Sequence, residues 1–373
     1  MTTNNYYIGV MSGTSADGVD IALVDFSDDK VQLKAHLYQA YNDQLHQKIT
    51  ALYSSGHNEI DRMGNLSVEL AHYFSQAINQ LIAQENLSAE DIVAIGCHGQ
   101  TIRHRPLINN TIQHPFTLQI GCNQTLACLT NIKVIGDFRT KDVALGGQGA
   151  PLVPAFHQYL FAERQQDTFI VNMGGIANIT FLPQDNSQPI IGFDTGPANA
   201  LLDEWCYKHT KQRYDENGQW AAQGNINQAL LNQLLTDQYF SLPAPKSTGR
   251  EYFNLNWLTP YLTEFSLDPV DVQATLVALT AFSIAHEINK LSPKSFVYLC
   301  GGGIDNNHCY KLLKHKLTNH CIKSINSLNL NNNAFEAMAF AWLAFAYEKK
   351  IYGNMPTVTG ASKKTILGIQ FNP

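Results

Sequence analysis

Apolar residues fall into short continuous runs separated by glycine turns, and into a few longer stretches at helical spacing. Residues 6–10 form an apolar run rich in strand formers. Residues 11–18 are a turn of small residues, and 19–26 alternates loosely as a second strand. The step is strand, glycine turn, strand: a hairpin, not the strand-to-helix turn of a dinucleotide-binding unit. Residues 61–85 carry apolar side chains at helical spacing. A strand is expected at 91–97, ending at a polar loop that starts with His98-Gly99-Gln100-Thr101, and short strands at 117–120 and 133–137 flank a helix.

The hairpin returns in the second half. Residues 169–172 predict a strand, Met173-Gly174-Gly175 a turn and 176–182 a strand. One recurrence suggests two domains of related build. Helices are expected at 197–207, 271–291 and 334–347, the last apolar around most of its circumference and therefore deeply buried. A buried strand at 295–300 runs into Gly301-Gly302-Gly303, and the Asn-rich 324–333 is a loop. The Gly- and Pro-rich 142–154 is the candidate boundary or cleft floor. This places one domain at 1–150 and the other at 151–373, with the C-terminal helix free to return to the first.

Composition narrows the class. Only 15% of the 373 residues are charged, with a net charge of −6, which excludes a charged coiled coil and gives no field for nucleic acid. No run is long enough to span a membrane, and residues 1–5 lack a basic, apolar leader, so a cytoplasmic protein is expected. The seven cysteines show no Cys-x-x-Cys spacing and read as small buried hydrophobes. None of the 13 histidines has a compact metal-ligand spacing.

Five groups of residues can carry chemistry. The turn Gly13-Thr14-Ser15-Ala16-Asp17-Gly18-Val19-Asp20 offers backbone N–H groups and two hydroxyls to a polyphosphate, with Asp17 or Asp20 placed to hold Mg²⁺ through water. The plain alternative is an ordinary hairpin. Gly174 and Gly175 repeat that turn, and Gly301, Gly302 and Gly303 let backbone approach a flat ligand, or simply relieve a crowded junction before a helix capped by Asp305 or Asn306. Asp194, before Gly196-Pro197, is a general base pointing into a cleft or part of a helix cap. Arg139 and Arg250 suit a carboxylate or phosphate, or a surface ion pair. Glu336, in an apolar helix, is either paired internally or faces a cleft.

Paired glycine hairpins followed by a glycine-rich strand resemble the layout shared by sugar kinases, heat-shock ATPases and actin. The wording is narrower. Residues 11–20, His98-Gly99-Gln100-Thr101, Gly136-Asp137-Phe138-Arg139, 149–154, 172–178, 194–197, 246–251 and 300–303 are similar, in order, to the anhydro-N-acetylmuramic acid kinase family. Ala16 stands where that family often has Met, and Ala198 where a second Gly is common. The resemblance implies an α/β, ribonuclease H-like fold of two domains with an interdomain cleft. It implies an enzyme that uses ATP and Mg²⁺ to phosphorylate O6 of 1,6-anhydro-N-acetylmuramic acid while water opens the ring, in cell-wall recycling. It assigns Asp194 as the base. Residues 13–20 hold phosphates and metal, Gly174 and Gly175 close on them, and Gly301–Gly303 face adenosine. His98, Arg139 and Glu336 are expected to contact the sugar. It also implies a homodimer, and no nucleic-acid or membrane partner. A non-catalytic relative would need no Asp194, and a plain glycosidase would need a carboxylate pair instead of phosphate turns.

Overall fold

The computed structural model describes residues 5–27, 30–106 and 113–373; the segment 1–5, read as lacking a leader, lies up to residue 4 outside them. The chain forms two compact units, Met1–Leu160 with Asn329–Pro373, and Phe161–Leu328. The division expected after residue 150 thus falls ten residues later, because the Val153–Leu160 helix packs on the C-terminal helix Phe335–Glu348: the Phe156 ring lies 5.6 Å from Phe335 and 6.1 Å from Trp342. The 142–154 stretch lies inside the first unit.

The strands of the first unit are β1 (Tyr6–Ser12), β2 (Gly18–Asp25), β3 (Gln32–Ala40), β4 (Ile92–Arg105), β5 (Phe116–Ile120) and β6 (Val134–Gly136). They are ordered β6-β4-β1-β2-β3, with β5 folded back on β4 and the last strand of the chain, Ile369–Phe371, outside β6. β1, β2 and β3 are antiparallel, whereas β4 runs parallel to β1 and β6 parallel to β4. The second unit has β7 (Thr168–Met173), β8 (Ile176–Leu182), β9 (Ile191–Pro197), β10 (Phe296–Cys300) and β11 (Cys321–Ser324), ordered β11-β10-β7-β8-β9. Its directions repeat those of β1–β4 and β6 one for one. This duplicated strand order is the ribonuclease H-like, sugar kinase and actin type of α/β fold. The glycine turns after β1 and β7 hold equivalent places.

Two long apolar helices explain why the inner strands are hydrophobic throughout. Phe335–Glu348 lies on β1 and β4 so closely that a Cβ at Gly9 would overlap the Ala337 carbonyl, and one at Gly96 the Phe340 carbonyl. In the second unit, Pro269–Leu291 buries Leu276, Val277 and Ile284 in a core with Val171, Ile179 and Phe193.

Three expectations are corrected. β4 does not end at Cys97; pairing with β5 carries it through the His98 segment to Arg105, with a bend at Gly99 (φ +73°). The helix expected at 197–207 starts at Asn199, since Pro197 still belongs to β9. Four cysteines are buried as expected, but Cys128 and Cys321 are exposed and Cys122 half-buried. No described helix is long and apolar enough to cross a membrane.

Candidate functional site

The first glycine turn stands on a buried polar network. The Ser12 hydroxyl donates to Gln100 Oε1 at 2.5 Å and lies 2.7 Å from Tyr41 Oη. Gln100 Nε2 donates to the Gly13 carbonyl at 3.0 Å, and Tyr53 Oη to the Thr14 carbonyl at 2.9 Å. The Tyr41 N–H donates to the Asp17 carbonyl at 2.8 Å. With these carbonyls tied down from below, the tip holds one shape. Ala16 completes it at φ +53°, buried. Gly18 is packed against the Tyr38 ring, whereas a Cβ on Gly13 would meet nothing nearer than 3.8 Å. Thr14, Ser15 and Asp17 are exposed, and Val19 is core.

The two metal candidates differ. Among the described residues, the Asp17 carboxylate accepts only the Ser15 hydroxyl, at 2.8 Å, while Asp20 is paired with His36 Nε2 at 2.8 Å. Among the described residues, no three His, Cys, Asp or Glu side chains come together to hold a metal ion.

His98 and Arg139 meet directly. Arg139 Nη2 is 2.9 Å and Nε 3.1 Å from His98 Nε2, and Nη1 donates to the Gly149 carbonyl at 2.7 Å. His98 Nδ1 is 2.8 Å from the Gly99 carbonyl. A neutral imidazole protonated at Nδ1 satisfies both contacts. Burial, helped by the Arg139 charge, lowers the His98 pKa to about 3. Burial likewise brings Arg139 down to about 10, against the favourable charges of Glu336 and Asp142. Glu336 therefore joins this group electrostatically. It is exposed on the first turn of its helix, which agrees with the alternative that it faces away from the apolar core. A pocket of about 180 Å³ opens beside His98, lined by Gln119, Asn123, Asp137 and Thr140. Asn123 Oδ1 is buried there without a hydrogen-bond partner.

In the second unit the glycine roles divide. A Cβ on Gly301 (φ +83°) would overlap Asn172 Oδ1, and one on Gly303 would come within 2.9 Å of Asn199 Oδ1, so these two serve the crowded junction. A Cβ on Gly302 or Gly174 would make only ordinary van der Waals contacts, at 3.8 Å and 3.5 Å at the nearest, and the Arg250 guanidinium covers Gly175. Asn306, of the two expected caps, caps the following helix through the Cys309 N–H at 2.9 Å.

Asp194 lies on β9, opposite a register shift at Ala177/Asn178 of β8, and irregularities of this kind re-aim side chains. It caps no helix; Ala198 holds that position without a side-chain bond. Asp194 Oδ2 accepts the Ser247 hydroxyl at 3.0 Å and the Thr248 N–H at 2.9 Å. Burial raises its pKa, the two donors oppose this, and Glu251 adds to the rise.

Tyr41 and Tyr53 carry no local signal in the sequence, and Ser12 lies inside the quoted 11–20 motif without a role of its own. Gln100, Ser247 and Thr248 sit inside motifs already quoted, but their partners lie 87, 53 and 54 residues away.

The family model for anhydro-N-acetylmuramic acid kinase matches residues 5–373. The chain is 54% identical over 389 residues to the anhydro-N-acetylmuramic acid kinase of Colwellia psychrerythraea, covering 99% of this chain and 97% of that one. It is 48% identical over 373 residues to the protein of that name from Shewanella denitrificans, covering 100% of both. Among solved structures, component A of (R)-2-hydroxyglutaryl-CoA dehydratase from Acidaminococcus fermentans has a TM-score of 0.46 at 12% identity, covering 92% of this chain and 98% of that one.

Proposed function

The chain belongs to the anhydro-N-acetylmuramic acid kinase family, and on that premise we propose that it phosphorylates O6 of 1,6-anhydro-N-acetylmuramic acid with ATP while water opens the anhydro ring at C1. The products are N-acetylmuramic acid 6-phosphate and ADP. The protein is thus a phosphotransferase.

The observation that carries this reading is the state of Asp194. Ser247 and Thr248 hold one of its oxygens, and burial makes the carboxylate more basic than usual. Asp194 takes the proton of the water that attacks C1. The C1–O6 bond breaks with its electron pair on O6, and O6 attacks the γ-phosphoryl group as ADP leaves. Phosphoryl transfer asks mainly for positioning and charge neutralisation. The uncrowded glycines 13, 174 and 302, with Gly175 behind Arg250, suit contact with the nucleotide. Arg139 suits the carboxylate of the sugar, with His98 and Glu336 setting its place and charge. Mg²⁺ fits the donor set at Asp17, since that ion keeps most of its waters and takes one or two carboxylates. When bound it neutralises phosphate charge; Asp20, occupied by His36, suits a supporting role. A cytoplasmic homodimer acting in cell-wall recycling completes the reading.

The test is turnover of the purified protein with the anhydro sugar, ATP and Mg²⁺, read by mass spectrometry. A ring-opened 6-phosphate is expected, and its absence refutes the proposal. Asp194→Asn abolishes turnover and leaves ATP binding intact; lost ATP binding reassigns Asp194 to the nucleotide.

A further inference from the structure

We propose that the buried Lys246–Glu287 ion pair is a positioning device for Asp194, locking the segment that aims its carboxylate. The inference rests on Asp194 being the base.

Lys246 Nζ lies 2.8 Å from Glu287 Oε1, with the two side chains only 3% and 4% exposed. The ammonium also lies 3.3 Å from the Tyr239 carbonyl and 3.5 Å from that of Phe240, and sits over the Tyr239 ring at 5.1 Å. Burying two charges costs several kcal/mol per ion, and apolar residues of similar volume often replace such pairs without loss of stability. Stability is therefore a weak reason for a pair this deep, and its surroundings supply another.

Outside its sheet pairing with Asn178, the four hydrogen bonds described for Asp194 come from residues this lysine ties together. The Asp194 N–H donates to the Lys246 carbonyl at 2.9 Å, and the Tyr239 hydroxyl donates to the Asp194 carbonyl at 2.8 Å. The next two residues, Ser247 and Thr248, hold Oδ2. Lys246 thus joins the 239–240 turn to the 246–248 segment, and Glu287 fastens both to the long helix Pro269–Leu291. Loops such as 242–250 are otherwise free to drift, and a displacement of about 1 Å at a reacting group is enough to slow chemistry by up to ~100-fold. The charged or titratable groups acting on Asp194 and its supports are Glu251, Tyr239, Lys246 and Glu287.

The experiment uses the full chain with the double substitution Lys246→Met/Glu287→Met, which removes both charges and keeps the volume. Its melting temperature is expected at or above that of the wild type. Its kcat is expected to fall about tenfold, with KM for both substrates within about twofold. The acid limb of its kcat–pH profile is expected to shift downward as water reaches the loosened carboxylate. Tyr239→Phe, a smaller change that keeps the ring, gives the same kcat-only loss at about threefold. A wild-type kcat and pH profile in both folded variants overturns the inference. Asp194→Asn separates this from the parent reading. If it retains turnover, the base assignment falls and the inference with it. If it abolishes turnover while the pair variants match the wild type, only the role of the pair falls.

Discussion

The Arg139 guanidinium lies against the imidazole of His98, Nη2 to Nε2 at 2.9 Å; burial, helped by the cation, keeps the histidine neutral, and the histidine orients the cation. Each group is meaningful only beside the other, and both lie close to a polar pocket.

Stability should fall on the acid side because His98 is buried beside this cation. His98 titrates near 6.5 when unfolded and near 3 when folded. Between those values the unfolded chain binds more protons, so the full stability is present above pH 6.5 and is lost as pH drops toward 3. The slope approaches ~1.4 kcal/mol per pH unit for each such histidine. His157, lowered to about 3, and His104, lowered to about 4, act in the same direction. Urea midpoints should be level above about pH 7 and decline below it, and His98→Gln should make the decline shallower. Asp203, raised by burial to about 7, acts in the opposite direction, so the test is the difference between the two proteins: a decline that His98→Gln leaves unchanged refutes this.

Arg139→Lys tests the planar fork. One ammonium cannot reach His98 and the Gly149 carbonyl while presenting two parallel donors to a carboxylate. KM for the anhydro sugar should rise about tenfold or more, a loss near 1.4 kcal/mol, with KM for ATP unchanged. Equal effects on both constants would detach Arg139 from the sugar.

Gly96→Ala should be among the most damaging small substitutions. Its methyl would meet the Phe340 carbonyl, forcing the C-terminal helix off β4. We expect a loss of about 3 kcal/mol in chemical denaturation. The same change at Gly64, within the Glu59–Gln84 helix and with open space around it, should gain ~0.5–1 kcal/mol. Similar outcomes at the two positions would contradict the packing described.

Asp142→Asn should loosen the 145–149 turn. The buried carboxylate accepts Asn354 Nδ2 and Thr359 Oγ1 on Oδ1 and the Gly149 N–H on Oδ2, each at 2.8 Å. An amide NH₂ must face one of these donors, so a loss of about 2 kcal/mol is expected in thermal or urea unfolding. Unchanged stability would mean that the network rearranges freely.

Much of the fold is legible in the chain. β1, β2, β7, β8 and β10 are apolar runs bounded by glycine, and their periodicity is local. β3 is not legible: Gln32–Ala40 alternates between exposed and half-buried positions at a sheet edge, so its contrast is weak. The extension of β4 is hidden because its polar residues read as loop until β5 pairs with them. For the site, Asp194 and the glycine turns are visible as residue types in turn-rich settings. The exposure of Glu336 is not, since an apolar helix gives no sign of which way its first turn faces.

Glycine spacing and apolar periodicity suggest by themselves two related halves and a short set of candidate residues, and the family resemblance of the motifs adds the α/β, kinase-like expectation. Side-chain periodicity and turn chemistry depend on neighbours a few positions away, which is why they can be read along the chain. Only the tertiary structure decided which glycines relieve crowding and which do not, that His98 and Arg139 touch, that Ser247 and Thr248 hold Asp194, and that a buried ion pair braces them. The side-chain contacts at His98, Asp194 and Lys246 join residues about 40 to 55 positions apart, and the glycine contacts reach further still. Their distances, burial and shifted proton affinities arise from packing, which no local pattern encodes.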